Sequence, residues 1–238
     1  MIVYLWRKLL DLIFPRRCPI CDEVVGGTRQ LICEGCKGVV TYVTGAVCMK
    51  CGKKLAAEED EYCYDCAKRP HYYKSGTAPF EYKSVSSAIY RFKYKGRQEY
   101  ADFFGEELAK HLKGYLREWK PDALVPVPIH ASRRNKRGYN QAEVLARRLS
   151  EHTGIPMRTD IIKREKKTAP QKNLNVKERQ NNLKKAFKIH RNDVELNTIV
   201  IIDDIYTTGS TIDAVALKLR KAGVANIYYA ALSIGKGL

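Results

Sequence analysis

The sequence predicts an α/β protein: a mostly parallel sheet flanked by helices, preceded by a small N-terminal cysteine-rich, zinc-binding domain. Two observations carry this. All eight cysteines fall between Cys18 and Cys66, and from about residue 75 onward short apolar runs alternate with segments of helical periodicity. With 238 residues, 45% of them hydrophobic, the chain can build one ordinary domain plus a small appendage.

The first element is "MIVYLWRKLLDLIF", where Leu5, Leu9, Leu12 and Ile13 recur at helical spacing. Arg7, Lys8 and Asp11 interrupt its apolar stretch and no small-residue cleavage site follows, so a secretory leader is not expected. No run of eighteen apolar residues occurs, so a membrane-spanning helix is not expected either.

The cysteines form four C-x2-C pairs: Cys18/Cys21, Cys33/Cys36, Cys48/Cys51 and Cys63/Cys66, with eleven residues in every gap. C-x2-C brings two sulfurs to one face of a tight turn, and two such pairs complete a tetrahedral thiolate site. Two structural Zn2+ ions are therefore expected, one per two pairs. The spacing leaves open whether consecutive or alternate pairs share a metal. A disulfide framework is the competing reading, weakened by the lack of a leader and by the cysteine-free remainder. Few apolar residues separate the pairs, so metal is expected to hold this region, residues 1–70, folded. None of the five histidines (His71, His111, His130, His152, His190) is needed as a ligand, and ordinary surface roles are expected for each.

"AKRPHYYKSG" reads as a linker, and the second domain is placed at 75–238. "TAPFEYK" reads as a strand, "SVSSAIYRFKYKG" as a helix from a serine cap to Gly96, and about 99–119 as a longer helix. "DALVPVPI" (122–129) is a short apolar strand and 139–152 the next helix. "NTIVIID" is a strand ended by Asp203 and Asp204, "STIDAVALKLRKAG" a helix closed by Gly223, and "NIYYAALSI" a last strand. In open parallel sheets ligands bind at the carboxyl ends of strands, which is where "DDIYTTGST" falls.

The backbone N–H groups at that helix start, with the hydroxyls of Thr207, Thr208, Ser210 and Thr211, suit a phosphate dianion, and Gly209 lets the backbone approach it. Asp203 and Asp204 lie too near such an anion to be its ligands; they suit ribose hydroxyls or metal-bound water. A plain strand end and helix cap would need only one of these hydroxyls.

The formal charge is +17, and residues 130–191 hold 18 basic against five acidic side chains. An acidic partner is expected. Tyr90, Phe92, Tyr94 and Tyr139 are available in the sequence for stacking on bases, although aromatic residues more often fill cores.

The segment "IVIIDDIYTTGST" resembles the phosphoribosyl diphosphate (PRPP) signature of type I phosphoribosyltransferases, departing from it only at Tyr206, a change expected to be harmless. More narrowly, "FPRRCPIC" with its further C-x2-C pairs, "FKYKGR", "VPVPIH", "RGYNQAEVLAR", "KTAPQKNLNVKERQNNLKKAF" and "IDDIYTTGST" stand in the order seen in the ComF family of competence proteins. By that resemblance the sheet domain is phosphoribosyltransferase-like, Asp203 and Asp204 contact ribose hydroxyls, and Thr207, Thr208, Gly209, Ser210 and Thr211 hold the 5′-phosphate of PRPP with Mg2+. The loop "VPVPIHASRRNKRG" would bind pyrophosphate or DNA through Arg133, Arg134, Lys136 and Arg137, and a polar lid would span roughly 165–185. No catalytic base can be nominated.

The resemblance implies a DNA-uptake protein that binds single-stranded DNA in the cytoplasm, beside the inner face of the membrane. Its partners would be the competence helicase and a recombination mediator, docked on the zinc module. Two alternatives stand beside it: an active phosphoribosyltransferase acting on a nitrogen nucleophile, and a sensor of PRPP that does not react with it.

Overall fold

The computed structural model describes residues 15–26, 30–166, 185–191 and 195–235. The N-terminal helix expected over the first fourteen residues lies outside them, as does nearly all of the lid expected at 165–185.

Five strands form one parallel sheet. The long central strands β6 (Thr198–Tyr206) and β7 (Asn226–Ile234) pair with each other. On one side β3 (Ala123–Pro126) pairs with β6; on the other, β1 (Gly76–Thr77) and β2 (Phe80–Glu81) follow one another along β7. The strand expected from "TAPFEYK" is thus two short pieces. Pro79, which has no N–H to give a ladder, lies in the break.

Side-chain alternation along β6 builds both cores. Ile199 and Ile201 face helix α7 (Ser210–Lys221) through Ile212, Val215 and Leu219. Val200 and Ile202 face the opposite layer, which is made by α3 (Tyr82–Tyr94), α4 (Tyr100–Trp119) and α6 (Gln141–Thr153). Helix α3 begins two residues before the expected serine cap, directly on the end of β2.

Three elements of the sheet domain were not expected. The basic stretch after β3, read as a loop, contains the helix α5 (Ala131–Arg137), capped by His130, whose Nδ1 accepts the Ser132 N–H at 3.2 Å, and closed by Gly138 at φ 81°. A second, antiparallel sheet pairs β4 (Ile162–Arg164) with β5 (Phe187–Ile189).

The cysteine-rich region contains two copies of one unit, thirty residues apart. In each, the first C-x2-C sits on a knuckle closed by an isolated antiparallel bridge, Arg17 to Val24 and Val47 to Lys54. The second pair opens a short helix whose N-cap is its first cysteine: Cys33 for α1 (Glu34–Lys37) and Cys63 for α2 (Tyr64–Lys68). Both knuckles turn on a residue at φ 67°, Asp22 in the first and Gly52 in the second. A Cβ on Gly52 would meet Gly76 O at 2.8 Å, so only glycine fits there, whereas Asp22 is held from outside by Tyr100 and Arg97.

This difference marks how each unit is attached. The first clips to α3, where the Arg91 guanidinium donates to Pro19 O at 2.9 Å and Ile20 O at 2.6 Å. The second is fused to the sheet: Cys48 and Cys51 belong to the main core, Tyr229 Oη donates to Cys51 O at 2.6 Å, and the Gly76 N–H donates to Lys50 O at 3.1 Å. Metal is therefore not all that holds this second unit; the sheet's apolar edge does so as well.

Candidate functional site

The sulfurs answer the pairing question. Consecutive pairs come together, Cys18, Cys21, Cys33 and Cys36 in one cluster and Cys48, Cys51, Cys63 and Cys66 in the other, all sulfurs of a cluster lying within 4.8 Å of one another. Sulfur separations of 3.7 Å (Cys21 to Cys33) and 3.6 Å (Cys51 to Cys63) match the edge of a tetrahedron with Zn–S near ~2.3 Å. The chemistry of the second set also calls for a cation. Hydrogen bonds from Cys51 and Cys66 hold the Cys48 thiol far below its usual range, while the bonds to Cys48 and Cys51 drive Cys66 far above it. Four such sulfurs carry charge together only around a metal ion. With four cysteines each, both sites are closed and structural.

His71 is no ligand, and it is not on the surface either. Its side chain is 2% exposed, with Nε2 at 3.5 Å from Cys66 Sγ and Nδ1 at 2.7 Å from Asp213 Oδ2 on α7. The expected surface role is corrected here: the ring is enclosed between the second sulfur cluster and the helix that follows "DDIYTTGST".

That segment forms the carboxyl end of the sheet. Asp203 and Asp204 lie within β6 rather than ending it, because β7 continues alongside and pairs Asp203 with Ala231 and Tyr206 with Ile234. The strand then gives way to Thr207 and Thr208, and Gly209 caps α7 at φ 74° without a side-chain cap bond. The first-turn N–H groups of α7 are thus not taken by a capping side chain, and the Thr208 and Ser210 hydroxyls sit 2.9 Å apart at their mouth. Thr207 to Thr211, with Asp203, line one small polar cavity.

Gly209 is required twice over, by its φ and by Tyr206, whose hydroxyl would stand 2.6 Å from a Cβ at that position. Tyr206 is therefore more than harmless. Its ring stacks on Tyr229 at 4.7 Å, its hydroxyl pairs with Tyr73 Oη at 2.7 Å, and it forms the packed floor under the loop.

The two carboxylates have different surroundings. Asp204 pairs with Lys93 of α3 at 2.9 Å. Asp203 accepts the Asp204 N–H at 2.9 Å, and burial, reinforced by the Asp204 charge, pushes its carboxyl up to about 7. Arg164 of β4 reaches the same region. Burial and the Arg133 guanidinium pull it down to about 10, and Asp203 works against that. Of the four basic residues named from sequence, Arg133 is the one that acts on Arg164 in this way. Arg134 pairs with Glu143 at 2.9 Å, Arg137 donates to Tyr94 Oη at 3.0 Å, and Lys136 is exposed to solvent.

Sequence reasoning missed Lys93 and Arg164. The "FKYKGR" motif contained the first, while nothing local to "IIKRE" marked the second.

Two of the four stacking candidates are withdrawn. Phe92 and Tyr139 are buried against each other with rings 5.7 Å apart, packing that the helical periodicity of α3 dictates. Tyr90 and Tyr94 are more than half exposed, 5.1 Å from each other, with the Arg137 guanidinium 4.7 Å over the Tyr94 ring.

Comparison with known proteins agrees with both halves. Residues 9–67 match the double zinc ribbon domain and residues 100–235 the phosphoribosyl transferase domain. Competence protein F of Haemophilus influenzae is 33% identical over 224 residues, covering 90% of this chain and 95% of the relative. The DNA utilization protein YhgH of Escherichia coli K12 is 28% identical, covering 91% and 96%. Competence protein ComFC of Bacillus subtilis is 26% identical, covering 82% and 80%. With both domains and nearly the whole length shared, the chain belongs to the ComF family of competence proteins: a double zinc ribbon joined to a phosphoribosyltransferase domain.

Proposed function

We propose that this protein handles incoming DNA by binding a single strand beside a PRPP-type ribose-phosphate site. The observation that carries the strand-binding half is the exposed Tyr90–Tyr94 pair flanked by Arg137 and the basic helix α5. Stacking surfaces beside cationic side chains suit sequence-tolerant strand binding. Lys93 stands on the same helix as the two tyrosines and reaches Asp204, so strand surface and cradle adjoin.

In the cradle, Asp203 and Asp204 are the acceptors for ribose hydroxyls, and the α7 N-terminus with Thr207, Thr208, Ser210 and Thr211 is the cavity for the 5′-phosphate. When bound with PRPP, Mg2+ would be held near these carboxylates and would neutralise charge on the pyrophosphate. Helicase and mediator are the proposed protein partners. Their docking surface is the zinc module, where Val24, Val39, Met49, Tyr62 and Tyr64 leave large apolar side chains exposed. Among the described residues, no helix is long and apolar enough to cross a membrane.

The test is fluorescence anisotropy of a labelled thymidine oligonucleotide over a salt series. Wild type should lose affinity steeply with salt, and Tyr90→Ala with Tyr94→Ala should lose about tenfold or more. Unchanged affinity in the double variant would overturn the strand surface. Calorimetry with Mg2+–PRPP tests the cradle separately: Asp203→Ala with Asp204→Ala should abolish the binding.

Active phosphoribosyl transfer is the second reading. It is favoured by the coexistence of both carboxylates, Gly209 and the hydroxyls at an uncapped helix start. Pyrophosphate release from PRPP in the presence of an acceptor would decide for it.

A further inference from the structure

Tyr90, Lys93 and Tyr94 stand at positions i, i+3 and i+4 of α3 and therefore share one side of the helix. The two rings are more than half exposed, whereas the Lys93 side chain is 17% exposed and its ammonium turns in to Asp204 Oδ2 at 2.9 Å. Asp204 is 14% exposed, so the pair is largely sheltered from screening by salt. One lysine thus stands between the stacking surface and a carboxylate of the cradle.

This pair opposes a ligand at either end. While it is closed, an Asp204 oxygen that a ribose hydroxyl or Mg2+ needs is taken by the ammonium, and the charge that a strand phosphate needs is engaged by Asp204. Opening it unaided leaves two adjacent carboxylates, Asp203 and Asp204, without that cation. The flexible four-carbon stem of lysine lets the ammonium swing toward the exposed tyrosines, where the Arg137 guanidinium already lies 4.7 Å over the Tyr94 ring. A strand on the tyrosines and Mg2+–PRPP in the cradle both favour the open pair, and two ligands that favour one state strengthen each other. We propose that Lys93 couples the two sites: it leaves Asp204 for a strand phosphate, so that a bound strand raises affinity for Mg2+–PRPP, and bound Mg2+–PRPP raises affinity for the strand. The inference rests on both halves of the proposed function and adds their regulation of one another.

Affinity of the full-length, zinc-loaded protein for a labelled thymidine oligonucleotide is measured by anisotropy with and without saturating Mg2+–PRPP. Affinity for Mg2+–PRPP is measured by calorimetry with and without saturating oligonucleotide. In wild type each ligand should tighten binding of the other about fivefold or more, by the same factor in both directions. Lys93→Met should abolish this tightening, and Lys93→Gln, which keeps a hydrogen-bond donor toward Asp204, should do the same if the Met variant does not fold. Lys93→Arg should restore it. Without PRPP, the slope of log affinity for the oligonucleotide against log salt should be shallower by about 0.7 in the neutral variants, the share of one single-strand phosphate contact, which a merely structural lysine does not supply. Melting temperature and zinc content are checked in each variant.

No tightening in wild type with both ligands bound, the same tightening in wild type and the neutral variants, or an unchanged salt slope overturns the coupling and leaves the reading of the two sites standing. If wild type binds only one of the ligands, the reading of the other site falls and the coupling falls with it.

Discussion

His71 Nδ1 lies 2.7 Å from Asp213 Oδ2, and through the other face of that ring the second metal centre is tied to the helix carrying the phosphate loop. Asp213 has further work: its Oδ1 accepts the Tyr72 N–H at 2.9 Å, and its own N–H donates to Gly209 O at 2.8 Å. One carboxylate thus fixes the chain leaving the zinc unit and the first turn of α7 together.

Asp213→Asn and His71→Ala should each lower stability by about 1.5–3 kcal/mol, the scale of a hydrogen bond to a charged group. In a domain of this size that is a fall in melting temperature of about 2–4 °C per kcal/mol. Zinc transfer to a chromogenic chelator should show two phases, with only one accelerated by these substitutions. Acceleration of both phases, or of neither, would break the proposed link.

The pH dependence follows from Asp203. Its carboxyl is raised from 3.8 to about 7, so the folded protein holds a proton there that the unfolded chain releases. Stability contributed by this site is present below the unfolded value and declines as pH rises through about 7. Asp203→Asn should therefore melt higher than wild type at pH 8 and at the same temperature below pH 4. Ligand binding should run the other way, since ribose hydroxyls need an acceptor. Mg2+–PRPP affinity should increase between pH 6 and pH 8 in wild type, and the Asn variant should bind weakly with no such slope.

Gly209→Ala places a Cβ both at φ 74° and 2.6 Å from the Tyr206 hydroxyl. A loss of roughly 1–3 kcal/mol is expected from the backbone and contact strain, with phosphate binding abolished. Adding Tyr206→Phe removes the nearest contact but not the backbone strain. The double variant should consequently recover part of the stability, a coupling that a thermodynamic cycle measures. Purely additive losses would mean that the ring and the glycine do not share the space.

The two knuckles separate by the same means. Gly52→Ala should lower stability by several kcal/mol, because its Cβ meets the backbone of β1 at 2.8 Å. Asp22→Gly keeps the turn and loses the Tyr100 and Arg97 contacts, costing about 1–2 kcal/mol. Chemical denaturation of both variants in the presence of zinc gives the comparison.

Most of the alternating elements and both cysteine sets were legible, because periodicity and chelate spacing are local properties of the chain. "NIYYAALSI" coincides with β7 for this reason. What was hidden depends on contacts distant in sequence. β6 runs past its two aspartates because β7 offers partners there. Phe92 and Tyr139 looked equal to Tyr90 and Tyr94 until packing separated them. Helix α5 was concealed by composition: basic residues suited a loop, and its cap was a histidine instead of a serine or aspartate.

Tyr229, which closes over Cys51, stands in β7, while the cysteines of the second unit belong to the first third of the chain. During synthesis from the N-terminus, the cysteines of the second unit emerge long before the strand that covers them. The side chains that clip the first unit, Arg91, Arg97 and Tyr100, follow it much sooner in the chain. The second is enclosed only when β7 pairs beside it, so it is the later of the two units to be closed over.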